Sequence, residues 1–268
     1  MKSLKTILLT DDPEVSGYAD SCGVSFIMLD LEINGKSQRQ SIKDTIISSH
    51  RIENILAVKE SLIVAKLIVR VNPLSEYSAV EFDRILNYGC SYIMLPMFND
   101  LMDIERALNL IKGRAELIPL FETKESLNNI EHILNNHKFK FIHFGLNDLS
   151  IQFNKKFLFQ VVSEGFLDAA IQVCHKKQQP FGFGGTARMD DGRLKGKHVV
   201  AKHCFYGSEF IILSRAFHNA SITISDFKNN CNLASEIQKL DETVAFYDLN
   251  LSERNSACEI FDITCSKF

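Results

Sequence analysis

The chain has 268 residues, of which 46% are hydrophobic and 24% charged, with 13 glycines and 5 prolines. This composition is that of a globular protein and excludes a disordered, collagen-like or low-complexity chain. The 30 basic and 33 acidic residues leave a net charge of −3, which provides no electrostatic footprint for nucleic acid or an anionic membrane. We therefore expect small molecules as partners.

Seven cysteines are scattered along the chain, and no two have the C-x-x-C spacing. Such a set is typical of reduced thiols in a cytoplasm, not of a disulfide framework or a zinc site. The first apolar run breaks at Asp11 and Asp12, before a signal-peptide core is complete. No stretch approaches the roughly 18 apolar residues of a membrane helix. These features predict a cytoplasmic protein with no membrane partner.

Short apolar runs alternate with segments of helical pattern. Each run is rich in Ile, Leu, Val and Phe, as in strands that are covered on both faces of a parallel sheet. The runs span residues 6–10, 25–30, 66–72, 92–97, 116–122, 139–145, 180–185 and 209–214. The alternation predicts an α/β fold, a (β/α)8 TIM barrel, and the main alternative is a doubly wound open sheet.

Apolar periodicity places helices between the runs. One helix face is marked within residues 127–134 and another within residues 159–173, and Thr123 is expected as an N-cap. The segment 13–22, before the second run, is short for a barrel helix.

Residues 221–268 lack strand character after their first few positions and carry a helical pattern around 233–247. No linker rich in glycine or proline precedes them. We therefore expect a TIM-barrel domain over residues 1–220. The C-terminal extension over 221–268 is then a helix or an arm of a homo-oligomer, not a second domain.

Polar residues follow several runs at their carboxyl ends, where parallel α/β folds place their active sites. Each such residue taken alone is about as often structural as functional, because strand ends also carry helix caps and ion pairs. The residues at these ends include Asp30, Glu32, Arg70, Pro96, Glu122 and Asp148. As a set they favour an active site, in which Pro96 is expected to border the substrate.

Glu122 and Asp148 follow adjacent predicted strands, so their carboxylates are expected to converge. Two carboxylates that leave several positions open suit Mg²⁺ or Mn²⁺, although another divalent metal is an alternative. A 2-oxo acid that chelates such an ion would have its enolate stabilised by the metal. This pair is therefore the predicted metal site.

Arg70 would supply positive charge to the same site, since a planar guanidinium suits a carboxylate or an enolate oxygen. The backbone amides from Gly145 through Leu146 and Asn147 are candidate binders of the substrate carboxylate. Asp30 and Glu32 are candidate acid/base groups. Their alternative role is to hold Arg70 or Lys36, and for Asp30 this alternative is favoured.

Two weaker signals remain. Gly184 lies in the glycine-rich end of the seventh run, where barrels often bind anions, so it is a further candidate for substrate binding. Residues 36–39 would hold a phosphate or carboxylate of a second substrate, or form a solvated surface. His143 lies inside the sixth run and is expected as a core or barrel-wall histidine.

The motifs FIMLDLE, IVRVNP, YIMLPMF, PLFET and FGLNDLS occur in this order at successive strand ends. Over residues 23–217 the order resembles the metal-dependent pyruvate aldolase and citrate lyase β-subunit family, which includes 4-hydroxy-2-oxoheptanedioate aldolases. These are barrels of the phosphoenolpyruvate/pyruvate-binding superfamily, and they cleave or form C–C bonds next to a 2-oxo acid or an acyl thioester. The resemblance implies Glu122 and Asp148 as metal ligands, Arg70 as the substrate arginine and the amides of 145–148 as the carboxylate cradle.

Two positions depart from the aldolase pattern. Ile33 stands where those aldolases typically carry an acid/base histidine, and Leu120 stands where they carry glutamine. The DLE sequence at 30–32 is more similar to the citrate lyase branch, whose substrates are linked to CoA or a carrier.

We therefore predict a divalent-metal-dependent carbon–carbon lyase or aldolase that acts on pyruvate, oxaloacetate or a related 2-oxo acid. The first alternative is a citrate-lyase-like acyl-CoA ester lyase or thioesterase. The second is a non-catalytic regulatory barrel that binds a 2-oxo acid.

Overall fold

The structure is a computed structural model that describes residues 3–33, 50–217 and 223–268. Within these ranges eight parallel strands close into a barrel, in which each strand pairs with the next and the last pairs with the first. The strands are β1 Lys5–Leu9, β2 Phe26–Asp30, β3 Lys66–Arg70, β4 Tyr92–Leu95, β5 Glu116–Phe121, β6 Ile142–Phe144, β7 Phe181–Thr186 and β8 Phe210–Leu213. The predicted (β/α)8 barrel is confirmed, and closure of the sheet excludes the open doubly wound alternative.

Helices surround the barrel and continue beyond it. In the described ranges they are α1 Pro13–Ser21, α2 Asn54–Glu60, α3 Ser78–Asn87, α4 Leu101–Ile111, α5 Lys124–Asn128, α6 Ile130–Asn136, α7 Leu146–Gln152, α8 Gln160–Ser163, α9 Asp168–Lys177, α10 Gly196–Tyr206, α11 Ile224–Asn230, α12 Leu233–Leu249 and α13 Leu251–Cys265. The face predicted within 127–134 is divided between α5 and α6 at Asn129. The face predicted within 159–173 is divided between α8 and α9, where Gly165 has a φ of 76°.

Strand side chains alternate between two apolar cores, as the pleat of a strand requires. One set of alternate strand residues, which includes Val69 and Phe121, points outward against the helices. A smaller cluster fills the inside of the barrel, with Met28, Ile68 and Leu120 among its members. Two residues further along the same strands, the inward positions carry Asp30, Arg70 and Glu122. A polar layer therefore lies directly beyond the inner apolar cluster, at the carboxyl ends of the strands.

The C-terminal helices pack on the outside of the barrel. α12 and α13 contact α10, and α13 also contacts α8. Leu240 and Phe261 are fully buried there, and Lys202 on α10 forms an ion pair of 2.8 Å with Asp262 on α13. The helical pattern around 233–247 thus belongs to α12. The domain boundary at residue 220 and the role of the extension as an oligomer arm stay predictions.

Membrane-spanning helices and disulfide bonds are both missing from the described ranges. No helix there is both long enough and apolar enough to cross a bilayer. The cysteines in these ranges are not joined in disulfide bonds.

Candidate active site

Arg70 at the end of β3 is held by the carboxylates that follow β2. Its Nε donates to Asp30 Oδ1 at 2.8 Å and its Nη2 donates to Asp30 Oδ2 at 2.7 Å. Glu32 Oε2 lies 3.5 Å from the same Nε. Burial alone would lower the pKa of Arg70, but the Asp30 charge and hydrogen bonds, with the charges of Glu32 and Glu122, raise it above its ordinary value. Arg70 is therefore a fixed cation, and Asp30 is the residue that orients it.

Glu122 follows β5 and is buried, with 3% of its surface exposed. Its Oε1 accepts a hydrogen bond from the backbone N–H of Met97 at 3.1 Å. Its other oxygen lies against Gly145, where an added Cβ would sit 2.6 Å from Oε2 and 2.7 Å from the Glu122 Cβ. The carboxylate is thus wedged between the chain segments that follow β4 and β6.

Asp148 lies in the first turn of α7 and is also buried. Burial raises the pKa of the Glu122 carboxyl well above its ordinary value, and the negative charges of Asp148 and Glu32 raise it further. The charge of Arg70 and the Met97 amide act in the opposite direction. Glu32, Glu122 and Asp148 are buried, and Arg70 lies beside them partly exposed. We call these four residues the carboxylate cluster.

The donor set of this cluster fits a divalent cation. The cluster holds more carboxyl groups than guanidinium groups, so a cation would offset the repulsion that acts on Glu122. Across the part of the chain that the structure describes, no three or more His, Cys, Asp or Glu side chains form a metal cage by themselves. Mg²⁺ is commonly held by one or two carboxylates while water and substrate oxygens take the other positions. Glu122 and Asp148 fit this arrangement.

The predicted substrate-binding residues lie at the same end of the barrel. Pro96 begins the turn after β4 that brings the Met97 amide to Glu122. Gly145 precedes α7, and Leu146 and Asn147 are its first two residues. Gly184 packs on Leu146, where an added Cβ would lie 2.5 Å from Leu146 Cδ1. Residues 36–39 lie outside the described residues.

The departures from the aldolase pattern supply no acid/base group. Leu120 belongs to the inner apolar cluster. Ile33 is 54% exposed, and its backbone N–H donates to Asn72 Oδ1 at 2.9 Å. Since Asp30 is bonded through both oxygens to Arg70, Glu32 is the carboxylate after β2 that the geometry favours for proton transfer.

Sequence reasoning missed two contributors to this region. The direction of the Met97 N–H depends on a backbone φ of 53° at this residue. No sequence motif predicts this conformation. His50 Nδ1 accepts a hydrogen bond from the backbone N–H of Asp30 at 2.9 Å. The prediction that His143 is a core or barrel-wall histidine is confirmed, because it is buried and faces the inside of the barrel. Burial together with the charge of Arg70 lowers its pKa to about 4, against the opposing bond to Gly184. The period-two alternation of FKFIHFG is the signal that places His143 on the inner face.

The chain is similar in sequence to a known protein family. The sequence profile described as HpcH/HpaI aldolase/citrate lyase matches residues 8–158. No curated protein is significantly similar to the chain in sequence.

Several solved structures share the fold at low identity. One is an HpcH/HpaI aldolase/citrate lyase family protein from Burkholderia cenocepacia J2315, with a TM-score of 0.63 and 11% identity over 80% of this chain and 88% of that one. An HpcH/HpaI aldolase from Desulfitobacterium hafniense DCB-2 has a TM-score of 0.61 and 12% identity over 80% and 86%. RipC from Yersinia pestis has a TM-score of 0.58 and 15% identity over 88% and 94%. Because the profile spans more than half of the sequence, the chain belongs to the HpcH/HpaI aldolase/citrate lyase family.

Proposed function

We propose that the protein is a divalent-metal-dependent carbon–carbon lyase or aldolase that acts on pyruvate, oxaloacetate or a related 2-oxo acid. The observation that carries the proposal is the carboxylate cluster, in which Glu122 interacts with Glu32, Arg70 and Asp148. Family membership supports a reaction of the lyase or aldolase kind.

Glu122 and Asp148 would hold Mg²⁺ or Mn²⁺. When bound, such an ion supplies the Lewis acidity that stabilises negative charge on the enolate oxygen of a 2-oxo acid. Arg70 binds the carboxylate or the developing enolate oxygen of the substrate, and its two bonds to Asp30 fix the plane of its guanidinium. The amides of Gly145, Leu146 and Asn147 are proposed to bind the substrate carboxylate, and Pro96 and Gly184 border it.

Proton transfer at the carbon next to the carbonyl is assigned to Glu32. This carboxylate is buried and lies 3.5 Å from Arg70 Nε, so it borders the position that we propose for the substrate. In cleavage of a 4-hydroxy-2-oxo acid, Glu32 takes the proton of the 4-hydroxyl group as a general base while the C3–C4 bond breaks to give an aldehyde and the enolate of pyruvate. It then returns the proton to C3 as a general acid. Asp30 orients Arg70 and does not exchange the proton itself.

We also propose that the protein is a cytoplasmic homo-oligomer. The cysteine pattern supports the compartment. Exposed apolar side chains on the C-terminal helices support the assembly, since Leu249 is 83%, Leu251 55% and Ile263 57% exposed.

The test is pyruvate release from oxaloacetate and from 4-hydroxy-2-oxo acids, with and without Mg²⁺ or Mn²⁺. We expect activity that needs the ion and falls by at least about 100-fold in Glu122→Gln and Asp148→Asn. Glu116→Gln is the matched control, because Glu116 lies at the opposite, exposed end of β5.

Two results would contradict the proposal, and each would favour one alternative function. Turnover of acyl-CoA esters alone would indicate the citrate-lyase-like activity. Binding of oxalate without any turnover would indicate a regulatory barrel.

A further inference from the structure

His143 is a buried histidine on the inner face of β6 to which the proposed reaction gives no role. Only 1% of its surface is exposed, and its neighbours Ile142 and Phe144 face the outer core. Its Nε2 lies 3.2 Å from the carbonyl oxygen of Gly184 on β7. Because a carbonyl only accepts hydrogen bonds, Nε2 carries the proton and donates it.

The other ring nitrogen of His143, Nδ1, is evidence that packing alone does not account for a histidine at this position. Nδ1 is buried and has no hydrogen-bond partner among the described residues. The ring also needs Gly182 beside it, since an added Cβ there would lie 2.7 Å from Nδ1. A leucine or phenylalanine would fill the space without an unpaired ring nitrogen, but it would take this donor away from the Gly184 carbonyl. The bond from Nε2 is therefore the physical reason for the histidine.

That bond lies where the regular strand ladder is interrupted. The register between β7 and β8 shifts between Gly182 and Gly185, and Gly184 has a φ of 50° in the left-handed region. Gly184 packs directly on Leu146, where an added Cβ would lie 2.5 Å from Cδ1. Leu146 is the first residue of α7, and Asp148 lies in the same turn.

We propose that His143 is a positioning residue, whose bond to the Gly184 carbonyl fixes the end of β7 against Leu146 and so sets the first turn of α7 with Asp148. The consequence for metal binding rests on the proposed function. The mechanical link from His143 to α7 does not, so the two are tested separately.

The link is tested by hydrogen exchange, measured by mass spectrometry on the metal-free protein. His143→Phe fills the space without a donor, and His143→Gln keeps an N–H donor. His203→Phe is the matched control, because His203 is a buried histidine on α10 that stacks on Phe183 at 3.8 Å. We expect about tenfold faster exchange in peptides covering 145–152 and 181–186 in His143→Phe, and near wild-type exchange of both in His143→Gln. In His203→Phe we expect near wild-type exchange at 145–152, which is the peptide that decides, because Phe183 itself lies in 181–186.

The consequence is tested by calorimetric titration with Mn²⁺. We expect about tenfold weaker binding by His143→Phe, the range found when groups that orient metal ligands are lost, and recovery in His143→Gln. Unchanged exchange at 145–152 in folded His143→Phe, or the same change in His203→Phe, overturns the proposal. If His143→Phe does not fold, His143→Asn, whose amide is too short to reach Gly184, takes its place.

Failure of the wild-type protein to bind Mn²⁺ would remove the proposed metal site, while the exchange data would still decide the role of His143.

Discussion

At the scale of single residues, the candidate site depends on how the Glu122 carboxylate is held. Met97 adopts a left-handed backbone conformation with a φ of 53°, which for a non-glycine residue costs about 1 kcal/mol or more. This conformation turns its N–H onto Glu122 Oε1. Strained backbone of this kind is concentrated at functional sites. The strained backbone at Met97 therefore serves to orient the Glu122 carboxylate.

Gly145→Ala tests the contact of Gly145 with the other oxygen of the Glu122 carboxylate. Gly145 has a φ of −85°, which alanine accepts, so the effect is steric and comes from the 2.6 Å approach of the new Cβ to Glu122 Oε2. We expect Mn²⁺ affinity and lyase activity to fall by at least about tenfold. Gly113→Ala is the control, because its Cβ meets open space while its φ of 71° strains the backbone. It should lower stability and leave activity intact, and equal activity of the two variants would contradict the account.

Glu122→Gln in metal-free protein tests the electrostatics. Folding raises the pKa of Glu122, so the group favours the folded state below the unfolded pKa of about 4.3, and this contribution is lost as the pH rises through the folded pKa. Glutamine carries no charge. We therefore expect the variant to melt a few degrees above the wild type at neutral pH, and the gap to shrink as the pH falls toward 4.3. Thermal unfolding in EDTA measures this, and a lower melting temperature at neutral pH would contradict it.

Much of the site follows from the sequence, because Arg70, Glu122 and Asp148 stand at the carboxyl ends of recognisable strands. The sequence also favours Asp30 as the residue that holds Arg70, and two hydrogen bonds confirm it. The 3.5 Å approach of Glu32 to the same guanidinium does not follow from the sequence. The Met97 conformation and the Nε2 bond of His143 also depend on contacts between segments far apart in the chain. Local pattern carries no information about them.

At the scale of elements, the strands are easier to predict than the helices. The eight apolar runs coincide with the eight strands to within about three residues, because burial on both faces leaves a continuous apolar signal. The sequence predicts each helical face as one element. They are interrupted at Asn129, whose φ of −92° and ψ of 0° are not helical, and at Gly165 in the left-handed region. The apolar periodicity continues past both positions. Thr123 is the predicted N-cap, and a capping box with Ser126 confirms it.

Thr123→Ala tests how firmly the segment after Glu122 is anchored. Thr123 Oγ1 accepts the Ser126 N–H at 3.0 Å and donates to the Phe98 carbonyl at 3.0 Å. Loss of both bonds should lower the free energy of unfolding by about 1–2 kcal/mol. Urea denaturation measures the change, and Thr123→Ser, which keeps the hydroxyl, is the control. A variant as stable as the wild type would show that the cap does not anchor this turn.

At the scale of the whole molecule, the C-terminal helices share the outer core of the barrel. Leu233, Leu240 and Phe261 are all fully buried and belong to the same cluster as the outward-facing strand residues. Composition gives no sign of this, because the tail has neither strands nor a distinctive linker. This packing indicates that the extension is part of the outer core of the barrel and not a loosely attached arm.

Removal of residues 221–268 tests this view. The truncated chain would expose the apolar face of α10 that α12 and α13 cover, so we expect it to lose its cooperative thermal transition or to aggregate. Lys202→Met is a milder probe of the same interface, because it breaks the ion pair with Asp262. A truncated chain that melts at the wild-type temperature would show that the barrel domain is independent.

The central claim is that Glu122 and Asp148 hold a metal that stabilises an enolate. Exchange of the methyl protons of pyruvate in deuterated buffer, followed by proton NMR, tests it most directly. We predict exchange that requires Mg²⁺ or Mn²⁺, persists in Glu116→Gln, and is lost in both Glu122→Ala and Asp148→Ala. Unchanged exchange in either alanine variant would contradict the account.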